Sequence, residues 1–255
     1  MFDRRNLIKG AGLALAATTT TAHAANDKVE IPKGMGFYHD FSVVGLNNLP
    51  PAEGLYRQNQ LVKEPLIVGY MLYAMGKLKA QGIKPVSVCE LFCADAFYSF
   101  IARRFGADRC DAFDSDRDGY LDQARIVAKL LNEEENVGIH KVDMFDMPAD
   151  YRASVVVNAG GLYHVADPMR AVEMSYAMAE HYLIIQTVVT LTTEDENYFE
   201  APAPGWTWGS RFSYAYLHRE LLKRGYKILD TQRNIFPAND RPEDRGNAFF
   251  LISRD

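Results

Sequence analysis

The chain has 255 residues, of which 48% are hydrophobic and 24% are charged, a composition typical of a soluble globular protein with one sizeable core. The formal net charge is −5 at pH 7, and no basic run follows the N-terminus. A protein that binds nucleic acid is therefore not expected.

The first 24 residues carry, in order, the features of an export signal. Arg4 and Arg5 precede an apolar stretch over 10–17, and Ala22-His23-Ala24 forms a small-x-small cleavage site. The apolar stretch is too short to cross a bilayer as a stable helix, so we expect no stable membrane anchor. The segment resembles a twin-arginine signal peptide, which implies the twin-arginine translocation machinery as a partner and a periplasmic location.

Residues 25–60 predict an irregular lead-in, because prolines and glycines interrupt any long element. A domain over 61–255 follows, in which predicted helices and strands alternate. Apolar spacing predicts helices over 61–80, 97–105, 119–131, 168–180 and 214–224. Apolar runs predict strands over 86–91, 109–114, 137–142, 154–158, 182–189, 226–232 and 248–253. This order predicts a Rossmann-like α/β fold, a doubly wound and mostly parallel seven-stranded sheet with helices on both faces.

The most informative segment is the predicted turn after the first strand, Glu90 to Tyr98. Small residues in such a turn let backbone N–H groups approach a bound nucleotide. About twenty residues later, the second predicted strand ends in an acid, Asp114, which is placed to accept two ribose hydroxyls. Together these features predict a nucleotide-binding crevice.

Three stretches in this order, Glu90–Phe100, Phe113–Asp116 and Gly161–Pro168, resemble class I S-adenosylmethionine-dependent methyltransferases. The third stretch is similar to the branch that includes tRNA wobble-uridine carboxymethyl and methoxy transferases and many small-molecule enzymes. The resemblance implies S-adenosylmethionine as the cofactor and a small molecule as the substrate.

The resemblance also implies roles for single residues. Glu90 would orient the cofactor's ammonium group, and Asp114 would accept the ribose hydroxyls. Asp143 and Met144 would face the adenine. The other expected cofactor contacts are Phe92, Ala94, Ala96, Ser115 and Asn158.

Tyr163 and His164 are the candidate catalytic residues, because histidine titrates near neutral pH and tyrosine can orient a substrate. The alternative is that His164 caps a loop and Tyr163 only packs. Trp206 and Trp208 are expected either to wall a substrate pocket or to lie in the core. The cysteine spacing is not that of a metal site, and we expect no metal ligands.

The turn departs from the family pattern at Phe92 and Ala96, where the family has glycine. A side chain at Phe92 would crowd the cofactor's amino-acid end, whereas alanine at 96 is tolerated if its φ stays negative. These departures leave open an exported pseudo-methyltransferase that binds another ligand or a partner. A further alternative is a hydrolytic or isomerising reaction with His164 as the base.

The segment Asp114–Asp122 also resembles the start of a calcium loop, with acids at positions 1, 3, 5 and 9 and glycine at position 6. Position 12 should be a bidentate glutamate and is Arg125. Calcium is therefore a secondary alternative for this segment.

Overall fold

One twisted sheet of seven strands forms the centre of the part of the chain that the structure describes. The structure is a computed structural model that describes residues 29–51 and 53–254, so the predicted signal segment lies outside it. The strands of the sheet are β1 (Ser87–Leu91), β2 (Arg109–Asp114), β3 (Val137–Lys141), β4 (Ala153–Ala159), β5 (Ala179–Val189), β8 (Lys227–Ile235) and β9 (Gly246–Ser253). Their order is β3-β2-β1-β4-β5-β9-β8.

The first five strands of the chain pair in parallel, and β9 pairs antiparallel with both β5 and β8. This arrangement confirms the predicted mostly parallel, seven-stranded sheet. A separate short pair, β6 (Phe199–Glu200) with β7 (Arg211–Phe212), was not predicted. Two-residue strands are too short to produce a pattern of alternating burial in the sequence.

The helices are α1 (Leu55–Ala80), α2 (Phe97–Arg104), α3 (Leu121–Leu131), α4 (Pro168–Met178) and α5 (Tyr214–Lys223). Two helix starts are fixed by side-chain caps. Asp167 accepts a hydrogen bond from the Arg170 amide at 3.0 Å, and Ser213 accepts one from the Tyr216 amide at 2.9 Å. Among the described residues, no helix combines the length and apolar character that a membrane span requires.

Two hydrophobic cores cover the two faces of the sheet, because successive strand residues point to opposite sides. On β4, Val155 and Val157 pack with α1, α2 and α3, whereas Val156 packs with α4 and α5. The predicted helices on both faces are therefore confirmed, and the carboxyl ends of the parallel strands stay uncovered at one edge.

The lead-in differs from its prediction as an irregular segment outside the domain. Phe37 and Phe41 are fully buried in the core beside α2, and α1 begins at Leu55 rather than at residue 61. The start of α1 escaped the apolar pattern because its buried face is polar: Gln60 is 0% exposed. The segment before α1 is thus part of the domain and reaches the open edge of the sheet.

Candidate functional site

A cleft with a cavity volume of about 220 Å³ opens at the carboxyl ends of β1, β2 and β4. β1 lies between β2 and β4, so the chain leaves β1 and β4 in opposite directions across the sheet. Such a reversal of strand order is where open α/β sheets bind ligands. The lead-in and α1 close the other side of the cleft.

In the turn after β1, every second residue from 92 to 96 has a left-handed backbone conformation. The φ angles are 56° at Phe92, 47° at Ala94 and 60° at Ala96. This conformation is ordinary for glycine and costs other residues about 1 to 2 kcal/mol each. Ala96 therefore does not meet the condition of a negative φ under which alanine is tolerated there, and the turn keeps the backbone of a glycine-rich loop without its glycines.

The side chain of Phe92 lies against Gly161, just after β4. A Cβ atom built on Gly161 would overlap the ring atoms Cγ, Cδ2 and Cε2 of Phe92. Gly161 itself has φ −95° and ψ −41°, a conformation open to any residue. Glycine is therefore required there by the space that the Phe92 ring fills, and not by the backbone conformation. The half-buried Phe92 ring also lines the cleft, as the sequence predicted from its bulk.

Asp114 ends β2 inside the cleft, and the turn is fastened to it. Its Oδ2 accepts a hydrogen bond from the Ala94 amide at 3.1 Å, and its Oδ1 accepts one from the Asp116 amide at 2.6 Å. Burial raises the pKa of Asp114, against the lowering effect of these two amides. Asp143 lines the neighbouring part of the cleft, where its side chain caps the short helical turn that begins at Met144.

Glu90 is 1% exposed and binds the first turn of α2. Its Oε2 accepts hydrogen bonds from the Ser99 amide and hydroxyl, both at 2.7 Å, and its Oε1 accepts one from the Tyr98 amide at 3.3 Å. Burial raises the pKa of Glu90 to about 8, although the Ser99 bonds lower it. Glu90 therefore anchors the helix that follows the turn, at the floor of the cleft.

Tyr163 and His164 both line the cleft, and His164 stacks on Trp208 with ring centroids 5.3 Å apart. Burial, together with the nearby positive charge of Arg211, lowers the pKa of His164 to about 4. His164 is therefore neutral at pH 7 and a weak base. Trp206 and Trp208 are 42% and 37% exposed, so neither lies in the core, and Trp208 backs the cleft through His164.

The structure brings most of the predicted site residues together. The cleft is lined by Glu90, Phe92, Ala94, Asp114, Ser115, Asp143, Met144, Tyr163 and His164. Two predicted contacts lie behind it: Ala96 is fully buried at the start of α2, and the Asn158 amide donates to the Ser175 hydroxyl at 2.9 Å.

The cleft also contains residues that the sequence did not single out. Tyr38, His39, Tyr56, Lys63 and Tyr98 line its outer side. Tyr98 falls within the motif Glu90–Phe100, although no role was predicted for it. No motif marks the other four, because they come from the lead-in and α1 and meet the turn only in the folded chain.

His39 is fixed by an acid of the turn. Its Nδ1 lies 2.6 Å from Asp95 Oδ1, and its amide donates to Asp95 Oδ2 at 2.8 Å. The ring stacks on Phe97 with centroids 4.5 Å apart. Both His39 and Asp95 are buried, at 4% and 0% exposure. The one signal in the sequence was Asp95 itself, an acid in the middle of an apolar turn.

The calcium alternative for Asp114–Asp122 gains no support. The described residues contain no group of three or more metal-binding side chains. Asp116 instead accepts a hydrogen bond from the Leu121 amide at 3.1 Å, and Asp122 faces Arg125 at 2.7 Å. Asp116 and Asp122 therefore make local contacts at the start of α3.

No protein-family model matches this sequence, and no curated protein matches it. Solved structures do. The chain is similar to the magnesium protoporphyrin IX methyltransferase ChlM of Synechocystis PCC 6803 with bound SAH, at 14% identity and TM-score 0.58, over 80% of this chain and 89% of that chain. It is similar to the N-terminal domain of EvdMO1 with SAH bound, at 15% identity and TM-score 0.51, over 72% and 80% of the two chains.

A third similar structure is the [4+2]-cyclase SpnF, at 15% identity and TM-score 0.51, over 66% of this chain and 74% of that chain. At these identities the likeness establishes the fold alone, a Rossmann-like α/β fold that is also found in methyltransferases such as ChlM. The same fold carries a protein named as a cyclase, so activity has to be argued from the site.

Proposed function

We propose that this protein is an S-adenosylmethionine-dependent methyltransferase that acts on a small molecule. The observation that carries the proposal is the turn after β1. It keeps the left-handed backbone of a glycine-rich loop at Phe92, Ala94 and Ala96, and it is tied through the Ala94 amide to Asp114 at the end of β2. An acid in that place is suited to two ribose hydroxyls.

The residues of the cleft fit the cofactor at its adenosine end. Asp114 and Ser115 are placed for the ribose, and Asp143 and Met144 are placed for the adenine. When bound, the cofactor supplies an activated methyl group, so the protein mainly has to align the acceptor and exclude water. Two of the similar structures contain bound SAH, which supports the same ligand here.

The cleft also favours a small acceptor. Its cavity volume of about 220 Å³ is closed on one side by the lead-in and α1, and the chain has a net charge of −5. Both features disfavour an extended nucleic acid as the substrate. The resemblance at Gly161–Pro168 covers both tRNA-modifying and small-molecule enzymes, so the cavity and the charge, and not this motif, favour a small acceptor.

The test is calorimetric titration of the purified chain with S-adenosylmethionine and with S-adenosylhomocysteine. We expect binding in the micromolar range that Asp114→Asn weakens by about tenfold, because one of two acceptor oxygens is replaced by a donor. The control is Asp122→Asn, whose exposed carboxylate pairs with Arg125 outside the cleft. Absence of binding at millimolar ligand would refute the proposal.

One observation favours a second candidate, an exported pseudo-methyltransferase that binds a different ligand or a partner. The Phe92 ring lies on Gly161, at the end of the cleft expected to hold the cofactor's amino-acid part. Phe92→Gly separates the two candidates. Binding of S-adenosylmethionine only in this variant would support the pseudoenzyme, and equal binding in both proteins would support the enzyme.

We further infer export by the twin-arginine pathway into the periplasm, from Arg4, Arg5 and the cleavage site before Ala25. Export of a folded chain would allow it to carry a cofactor bound in the cytoplasm. Replacement of both arginines by lysine is expected to retain the protein in the cytoplasm, as measured by cell fractionation. Unchanged periplasmic recovery would rule out this pathway.

A further inference from the structure

Beside the cofactor end of the cleft, buried polar side chains converge from three elements. We call the polar chamber the set formed by His39 of the lead-in, Gln60, Lys63 and Glu64 of α1, and Tyr98 of α2. Gln60, Lys63 and Glu64 share one helix face, because they are three and four residues apart. His39, Lys63 and Tyr98 also line the cleft, so the chamber opens into it.

Polar atoms of the chamber have no hydrogen-bond partner within residues 29–51 and 53–254. They are His39 Nε2, Glu64 Oε1 and the Tyr98 hydroxyl, whereas the Gln60 amide makes no hydrogen bond of normal geometry but lies close enough to the Tyr38 hydroxyl to interact with it. His39, Gln60 and Tyr98 are 4%, 0% and 3% exposed, so the side chains are almost entirely enclosed by protein. Buried polar atoms are nearly always bonded, and several unpartnered ones in one place indicate that another molecule completes them.

Lys63 adds a charge to this set. In the described part of the chain it has no ion pair within 4 Å, and burial lowers its pKa to about 8 although Glu64 and Asp95 raise it. A half-buried ammonium group of this kind is stabilised by an anion that enters with its own hydrogen-bonding groups.

The orientation of His39 makes it a fixed acceptor. Asp95 Oδ1 lies 2.6 Å from its Nδ1, so in the tautomer that carries the proton on Nδ1 the unpartnered Nε2 has the lone pair. A ligand hydroxyl can donate to this nitrogen, while other hydroxyls both donate to and accept from the Gln60 amide and the Tyr98 hydroxyl.

We propose that the polar chamber is a binding subsite for a small polyhydroxylated carboxylic acid, whose hydroxyl groups contact His39, Gln60 and Tyr98 and whose carboxylate faces Lys63. The subsite goes beyond the proposed methyl transfer and does not depend on it. It would receive the methyl acceptor in an enzyme and the ligand in a pseudoenzyme.

The test compares three probes with the same six-carbon chain, in the absence of S-adenosylmethionine, so that a failed cofactor site does not affect the result. Gluconate carries hydroxyls and a carboxylate, sorbitol lacks the carboxylate, and hexanoate lacks the hydroxyls. By saturation-transfer NMR on the full chain, we expect gluconate to bind in the millimolar range and the other two about tenfold more weakly. Equal binding of gluconate and hexanoate, or no saturable binding of gluconate, would overturn the proposal.

Two variants test the named contacts. Lys63→Met is expected to reduce gluconate affinity to that of sorbitol. Tyr98→Phe is expected to weaken gluconate binding about fivefold while raising the melting temperature by about 3 °C, because it removes an unpartnered buried hydroxyl. The control is Tyr73→Phe, at an exposed position of α1, which should change neither quantity. Undiminished gluconate binding in both chamber variants, or a lower melting temperature for Tyr98→Phe, would contradict the assignment.

Discussion

The contact between Phe92 and Gly161 predicts a strong energetic coupling between the two positions. In the wild-type chain, Gly161→Ala places a methyl group inside the van der Waals radius of three ring atoms of Phe92. Overpacking of this kind costs about 1 to 3 kcal/mol. The backbone of Gly161 is in the right-handed region, so alanine itself adds no strain and restricts the unfolded chain, which stabilises by about 0.4 to 1 kcal/mol.

Overpacking destabilises and restriction of the unfolded chain stabilises, and only the second effect remains once the ring is removed. In wild type, Gly161→Ala should destabilise by up to about 2 kcal/mol, whereas in a Phe92→Gly background it should stabilise by about 0.5 kcal/mol. The double-mutant cycle should therefore give a coupling energy of about 1 to 3 kcal/mol.

Urea unfolding followed by circular dichroism measures the four proteins of the cycle. The control is Gly69→Ala in α1, where an added Cβ meets nothing within 4 Å and the effect should be the same in both backgrounds. If Gly161→Ala changed stability equally with and without the Phe92 ring, the ring would not lie on Gly161. Phe92 would then no longer be expected to crowd the cofactor's amino-acid end.

Three further predictions concern single groups. The pKa of His164 is about 4 in the folded protein, below its ordinary 6.5. Its contribution to the free energy of unfolding is therefore present above pH 6.5 and is lost as the pH falls towards 4. Measured by urea unfolding relative to His164→Gln, wild type should lose at most about 3 kcal/mol over that range. The pKa of Glu90 is about 8 in the folded protein, above its ordinary 4.5, so its contribution to the free energy of unfolding should be lost as the pH rises from 5 to 8. A difference in stability between wild type and Glu90→Gln that stays constant over this range would contradict the prediction. Gly209→Ala should destabilise by about 2 kcal/mol, because φ is +70° and the new Cβ would lie 2.5 Å from the Tyr163 carbonyl oxygen; Gly76→Ala, which meets nothing, is the thermal-unfolding control.

The sequence predicted the sheet and most helices because their signals are local. The central strands β4 and β5 contain short apolar runs, and the caps at Asp167 and Ser213 mark helix starts directly. The β6–β7 pair and the first turn of α1 were missed because neither has an apolar period. The left-handed φ of Ala96 was also missed, since alanine gives no sign of a strained backbone that the surrounding contacts impose.

The two sides of the cleft also differ in how far local sequence patterns predict their residues. Residues after β1, β2 and β4 were predicted because a strand followed by an acid or a small residue is a readable pattern. The chamber residues of the lead-in and α1 were not, since His39 meets Asp95 across 56 positions of sequence. Contacts of that range depend on how the lead-in packs on α2, which no local pattern encodes.

The strained turn does not by itself decide between an enzyme and a pseudoenzyme. Three left-handed residues cost about 3 to 6 kcal/mol, a large share of the stability of a typical domain. Hydrogen bonds from the Ala94 amide to Asp114 and from the Cys93 amide to the Phe113 carbonyl hold the turn in this shape without any ligand. The conformation would therefore survive the loss of cofactor binding. The Phe92 ring is the feature that separates the enzyme from the pseudoenzyme, because it lies in the cleft against Gly161, where the cofactor's amino-acid end is expected. Its removal is the change to which cofactor affinity should respond.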